Sequence, residues 1–166
     1  SGGTAQAISD AGIAVQDVSS LVGGDAILGH RVVTLSREIS AGLLADKSSP
    51  DDINEMRKLG IPLIDLVCVD MYPLEESINE ASSTKAGVIL KTDIGGPTML
   101  RSAAKGNRIV LSHSEQRQPV LEWLQAGKPD ESQILNDLAA RAEYEVARYV
   151  LASARYHGGH NVSGSI

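Results

Sequence analysis

Lys91-Thr92-Asp93-Ile94-Gly95-Gly96-Pro97-Thr98-Met99-Leu100-Arg101-Ser102-Ala103-Ala104-Lys105-Gly106-Asn107 is the stretch on which the fold turns. Asp93–Pro97 breaks regular structure just after the apolar run Gly87–Leu90. Thr98–Lys105 then reads as a helix with Pro97 near its first turn, where a missing N–H costs nothing. Arg108–Leu111 behind it reads as a strand. A strand, a glycine-rich turn, a helix and another strand in succession form the repeating unit of a parallel α/β sheet.

The rest of the chain extends the same pattern. Leu63–Val69 is a continuous apolar run interrupted only by Asp65, which indicates a strand buried on both faces. It ends at Asp70-Met71-Tyr72-Pro73, because Pro73 has no N–H to give a ladder. Ala5–Ala11, Ile53–Leu59, Glu75–Ala81, Glu115–Ala126 (capped by Ser114) and Glu131–Ala154 read as helices. The last has apolar residues at Ile134, Leu135, Leu138, Ala142, Val146, Tyr149 and Val150, near a 3.6-residue period. Ile13–Val18 is a short strand candidate and Arg31–Leu35 an extended segment. The expected class is therefore α/β, three layers with helices on both sides of a mostly parallel central sheet. One domain is expected over 1–156, with a glycine- and serine-rich tail over 157–166.

Composition limits what such a domain can do. With 166 residues, 42% of them hydrophobic and only 3% aromatic, the core must be built from Ala, Val, Ile and Leu. A net charge of −6 argues against nucleic acid as the main partner. No apolar run approaches the length of a membrane span, and no signal-peptide pattern opens the chain. The single Cys68 excludes an intrachain disulfide, so the cytoplasm is the expected compartment. His30, His113, His157 and His160 show no metal-ligand spacing, and no metal site is expected from them.

In open α/β sheets ligands bind beyond the carboxyl ends of the strands. That rule selects Ser1–Thr4, Asp70–Pro73 and Asp93–Thr98. Gly2 and Gly3 precede a helix start, where backbone N–H groups can meet an anion. Gly95 and Gly96 allow close approach of backbone to a ligand, ahead of a helix N-terminus with free donors. Tyr72 would place a phenol, and Asp70 a carboxylate, at a strand end. Arg101 and Lys105 share one helix face, available to an anion or to solvent.

Four blocks in order, Ser1-Gly-Gly-Thr-Ala-x-Ala-Ile-x-Asp-Ala-Gly12, Gly29-His-Arg-Val-Val-Thr-Leu35, Asp70-Met-Tyr-Pro-Leu-Glu75 and Thr92-Asp-Ile-Gly-Gly-Pro-Thr-Met-Leu-Arg-Ser-Ala-Ala-Lys-Gly-Asn107, resemble one family. It is the cyclohydrolase domain of the bifunctional purine-biosynthesis enzyme (AICAR transformylase/IMP cyclohydrolase), which has a methylglyoxal-synthase-like fold. The resemblance runs from Ser1 to about Leu111. It implies dehydrative ring closure of 5-formamido-imidazole-4-carboxamide ribotide (formyl-AICAR) to IMP, without cofactor, in a homodimer.

The resemblance also implies residue roles. Ser1, Gly2, Gly3 and Thr4 match the phosphate loop, and Arg31 and Thr34 match residues lining the base pocket. Tyr72, Asp93 and Lys105 match groups around the reacting amide and formyl. Asp70, Gly95 and Gly96 complete the substrate-binding set.

The departures are specific. Val33 stands where the family has a catalytic lysine, Ser36-Arg37 where it has His-Pro, and Asp70 where it has Asn. Arg37 and Lys91 are the candidates to replace the lost cation. The family's preceding strand and helix, with a further phosphate lysine, have no counterpart here. An open sheet edge, or pairing by a dimer partner, is the expected consequence. The lost lysine also keeps a second reading in view: a purine-nucleotide sensor of the same fold without catalysis.

Overall fold

A computed structural model describes residues 2–29 and 31–158. Its centre is a parallel pair of strands, β1 (Leu66–Cys68) and β2 (Ile109–Leu111), in the register Leu66↔Ile109, Val67↔Val110 and Cys68↔Leu111. The ladder continues past the strands, since the Val69 N–H donates to the Leu111 carbonyl at 2.9 Å. Between the strands lie α5 (Leu74–Asn79), α6 (Lys85–Leu90) and α7 (Gly95–Lys105). A 3-10 turn (Ser114–Gln116), α8 (Arg117–Gln125) and the 28-residue α9 (Glu131–Gly158) follow β2. Ahead of β1 come α1 (Gly2–Asp10), α2 (Ser19–Val22), α3 (Arg37–Leu44) and α4 (Pro50–Leu59).

The α/β class with parallel strands is as expected, with a sheet reduced to two strands among the described residues. Helix α7 rests on both strands and against α9, which itself packs on β2. Leu100, Ala103, Val110 and Ala142 are completely shielded from solvent at this junction. The aliphatic core has one large aromatic member, Trp123, whose indole N–H donates to the Pro129 carbonyl at 2.8 Å.

Arg108 enters β2 as a buried cation. Its guanidinium donates to the carbonyls of Leu43 and Ala45, closing the C-terminal end of α3. Burial lowers its pKa, and the nearby Asp65 and Asp46 oppose that shift. Gly106 is obligatory beside it, because a Cβ there would lie 1.9 Å from the Leu43 carbonyl oxygen.

Several sequence expectations are corrected. Ile13–Val18 is an exposed irregular segment, with Ile13 61% and Val15 41% accessible; it meets no strand to pair with. Arg31–Leu35 contributes only one antiparallel bridge, Ile27↔Val32. Gly87–Leu90 is helical because the Thr84 hydroxyl accepts from the Gly87 N–H and caps α6. Ser114 begins a 3-10 turn rather than capping α8, and the His113 side chain accepts from the Glu115 N–H instead. Helix α9 runs on through His157 and Gly158, where the tail was expected to begin; 159–166 lie outside the described residues. Among the described residues no helix is long and apolar enough to cross a membrane.

Candidate functional site

The loop from α6 to α7 is held at both ends by its own polar groups. The Thr92 hydroxyl donates to the Val88 carbonyl at 3.1 Å, which anchors the loop to α6. Asp93 follows, and its carboxylate Oδ1 accepts from the Gly96 N–H at 3.0 Å. This bond satisfies one of the free donors at the start of α7, a cap supplied by the residue before Ile94. The helix therefore starts at Gly95, three residues ahead of its expected start at Thr98.

Two glycines explain how this corner closes. A Cβ on Gly95 would lie 2.8 Å from the Thr34 hydroxyl oxygen. On Gly96 it would lie 2.4 Å from Asp93 Oδ2 and 3.1 Å from a Val69 methyl. Thr34, Asp93, Gly95, Gly96 and Val69 are thus one cluster, at the carboxyl end of β1 where ligand sites of α/β sheets form. The Asp93 N–H donates to the Tyr149 hydroxyl of α9 at 2.6 Å. A cavity of about 400 Å³ opens beside it, lined among others by Asp93, Thr98, Arg101, Ser102, Tyr149 and Ser153. Its size is within the range of small-molecule sites.

Asp70 continues β1 beyond the ladder and pairs with Arg117, the first residue of α8. The Cys68 thiol and then the Asp70 carboxylate raise the Arg117 pKa, holding the guanidinium charged. This pairing across 47 residues was not foreseen from the sequence, which offered only an Asp and an Arg far apart. Tyr149 was placed only on the apolar stripe of the last helix; nothing in the periodicity announces its bond to Asp93.

The other expected residues are more dispersed. Ser1 lies outside the described residues, and so does His30. Gly2, Gly3 and Thr4 sit in the first turn of α1 rather than in a loop ahead of a helix, and Gly3 and Thr4 are exposed. Arg31 is exposed and donates to the Leu28 carbonyl at 2.6 Å. Tyr72 is 66% accessible, with no hydrogen-bond partner for its hydroxyl among the described residues.

Lys105 closes the helix that Gly95 opens, and a rise of about 1.5 Å per residue separates their backbones by about 15 Å. Of the possible replacement cations, Arg37 lies 3.6 Å from Glu38 and Lys91 lies 3.6 Å from Glu80. Among the described residues no group of His, Cys, Asp and Glu could hold a metal ion.

Comparison with known proteins adds three findings. Residues 1–98 match the MGS-like domain family. The chain is 42% identical over 159 residues to the bifunctional purine biosynthesis protein PurH of Trichodesmium erythraeum, covering 94% of this chain and 31% of that protein. It is 45% identical over 109 residues to the PurH of Chlorobium phaeobacteroides, covering 66% of this chain and 21% of the other. The chain thus spans a third or less of the curated relatives it matches. The crystal structure of ForH superposes with a TM-score of 0.77 at 36% identity, covering 94% of this chain and 83% of that one.

Proposed function

Since this chain belongs to the MGS-like domain family, we propose that it binds a purine ribotide beyond the carboxyl end of β1 and closes the second purine ring. The substrate is formyl-AICAR and the product IMP. The observation that carries this reading is the Asp93 carboxylate. It is fixed by the Gly96 N–H beside Thr34 and Val69, just past the end of β1. The relatives named as purine-biosynthesis proteins narrow the ligand class.

In the proposed reaction the carboxamide nitrogen attacks the formyl carbon and forms the new C–N bond. One proton leaves the attacking nitrogen and a second leaves the formamido nitrogen as the C=N bond forms. Both depart with the formyl oxygen as water. Asp93 accepts the first proton, and Gly95 and Gly96 let the backbone lie against the flat base. Gly2, Gly3 and Thr4 are assigned to the 5′-phosphate, and Arg31, Thr34 and Asp70 to the rest of the ligand. Tyr72 is assigned to proton donation toward the departing oxygen. Lys105 is assigned, with Tyr72, to proton donation toward that oxygen, and a homodimer belongs to the proposal. A cytoplasmic setting and a functional unit over 1–156 belong to it as well.

The test is turnover of formyl-AICAR to IMP by the purified chain, followed by absorbance. The second reading, a nucleotide sensor without catalysis, has its own support. Val33 removes the family's lysine, and within one chain only Asp93 of the three catalytic candidates is held by the fold. Thermal shift with IMP or AICAR in the absence of turnover would establish the sensor. Neither turnover nor shift would sink both readings.

A further inference from the structure

We propose that Tyr149 is a positioning residue for the Asp93 carboxylate, holding the α6–α7 loop in its working geometry from the far side of the molecule. The inference rests on the assignment of Asp93 to the proposed ring closure.

The Tyr149 hydroxyl accepts the Asp93 N–H at 2.6 Å across 56 residues. The ring that carries this hydroxyl is only 9% accessible and is packed in a cluster with Leu74 of α5, Val88 of α6 and Met71. A phenol clamped by three elements has little freedom to follow a moving loop, so it sets where the loop sits.

The second constraint comes from the other side. Asp93 Oδ1 is held by the Gly96 N–H, and Oδ2 is close enough to Gly96 to exclude a Cβ there. The Asp93 backbone is therefore tied to α9 and its side chain to α7. Only with both ties is the carboxylate defined in position and direction. Burial raises the Tyr149 pKa, so the phenol keeps its proton at neutral pH and the tie does not depend on pH there.

The bond looks at first like an ordinary interhelical tether, which would stabilise the fold and do no more. Two facts favour the stronger reading. The tether ends on the backbone of the candidate catalytic carboxylate, and Tyr149 lines the same cavity as Asp93. A misplacement of the reacting group costs rate while leaving distant binding contacts intact.

Tyr149→Phe keeps the ring and removes only the acceptor oxygen. In the full chain, the expected result is about a tenfold fall in kcat for formyl-AICAR with KM within about twofold. Tyr144→Phe, on the 57% accessible Tyr144 of the same helix, should leave both unchanged. Amide hydrogen exchange of the Asp93 N–H is read in parallel. It should be slow in the wild type and accelerate in Tyr149→Phe by more than its neighbours do. An unchanged kcat in Tyr149→Phe overturns the proposal, whatever happens to Tm. So does an Asp93 amide that exchanges in the wild type as fast as that of Ile94. A wild-type chain without turnover defeats the ring-closure reading alone, and the exchange result then decides whether Tyr149 holds Asp93.

Discussion

The segment before α3 and the α7–α9 pair both contribute residues assigned to the site or to holding it, yet they are built in opposite ways. In the first, Ile8, Ile13, Ile27 and Leu28 are 38–62% accessible. Its regular structure is α1, the one-turn α2 and a single bridge. In the second, Leu100, Ala103 and Ala142 have no accessible surface, and polar bonds run from α9 to the loop before α7. A matching motif supplies donors and acceptors; packing is what fixes them in space. By this measure the Asp93 side of the proposed site is held ready for a ligand, whereas the phosphate side is not.

Substitutions in the packed region test the contrast most severely. Leu100→Ala empties a fully enclosed volume between α7 and the sheet, and should lower stability by about 3–4 kcal/mol in urea unfolding. Arg108→Ala leaves the Leu43 and Ala45 carbonyls without their donor and should cost about 2–3 kcal/mol in the same measurement. Gly96→Ala presses a methyl against Asp93 Oδ2, so a stability loss of about 1–2 kcal/mol is expected, with turnover reduced about a hundredfold. If it turned over like the wild type, Asp93 would not need its present position.

In the exposed region Ile8→Ala should change stability by less than about 0.5 kcal/mol. A loss comparable to that of Leu100→Ala would erase the distinction between the two regions.

The smallest effect concerns pH. Lys47 holds the Asp65 carboxyl below its ordinary range, chiefly through their hydrogen bond and against a desolvation contribution. A depressed carboxylate stabilises the fold above its unfolded pKa of about 3.9, and that contribution is lost as pH falls through the folded value. Both side chains are largely exposed, so the contribution is small and salt-sensitive. The urea midpoints of wild type and Asp65→Asn should differ slightly at pH 7 and converge as pH falls through the depressed Asp65 value.

What the sequence disclosed depended on how local the determining interaction was. Helix α7 and its glycine pair were legible because cap, turn and apolar face lie within one short stretch. The end of α4 at Leu59 was legible, and Gly60 just beyond it adopts φ 67°. The strand in Leu63–Val69 was foreseen but is shorter, since Leu66 and Cys68 face solvent and only Val67 is buried. The apolar residues of Gly87–Leu90 suit a strand end as well as a helix, and the Thr84 cap three residues before Gly87 decides for the helix. The tie of Tyr149 to Asp93 and the pair of Asp70 with Arg117 depend on tertiary placement, which no spacing along the chain encodes.

Helix α9 reaches about 42 Å at 1.5 Å per residue. Its first half is embedded in the main core through Leu138 and Ala142, and its second half delivers Tyr149 to Asp93. One rod therefore serves as girder for the fold and as gauge for the site. Heat cannot loosen the Asp93 corner while leaving the core intact. Thermal inactivation and global melting should follow one curve, and mutations that raise the melting temperature through the α7–α9 contact should extend the working range of the site by the same number of degrees.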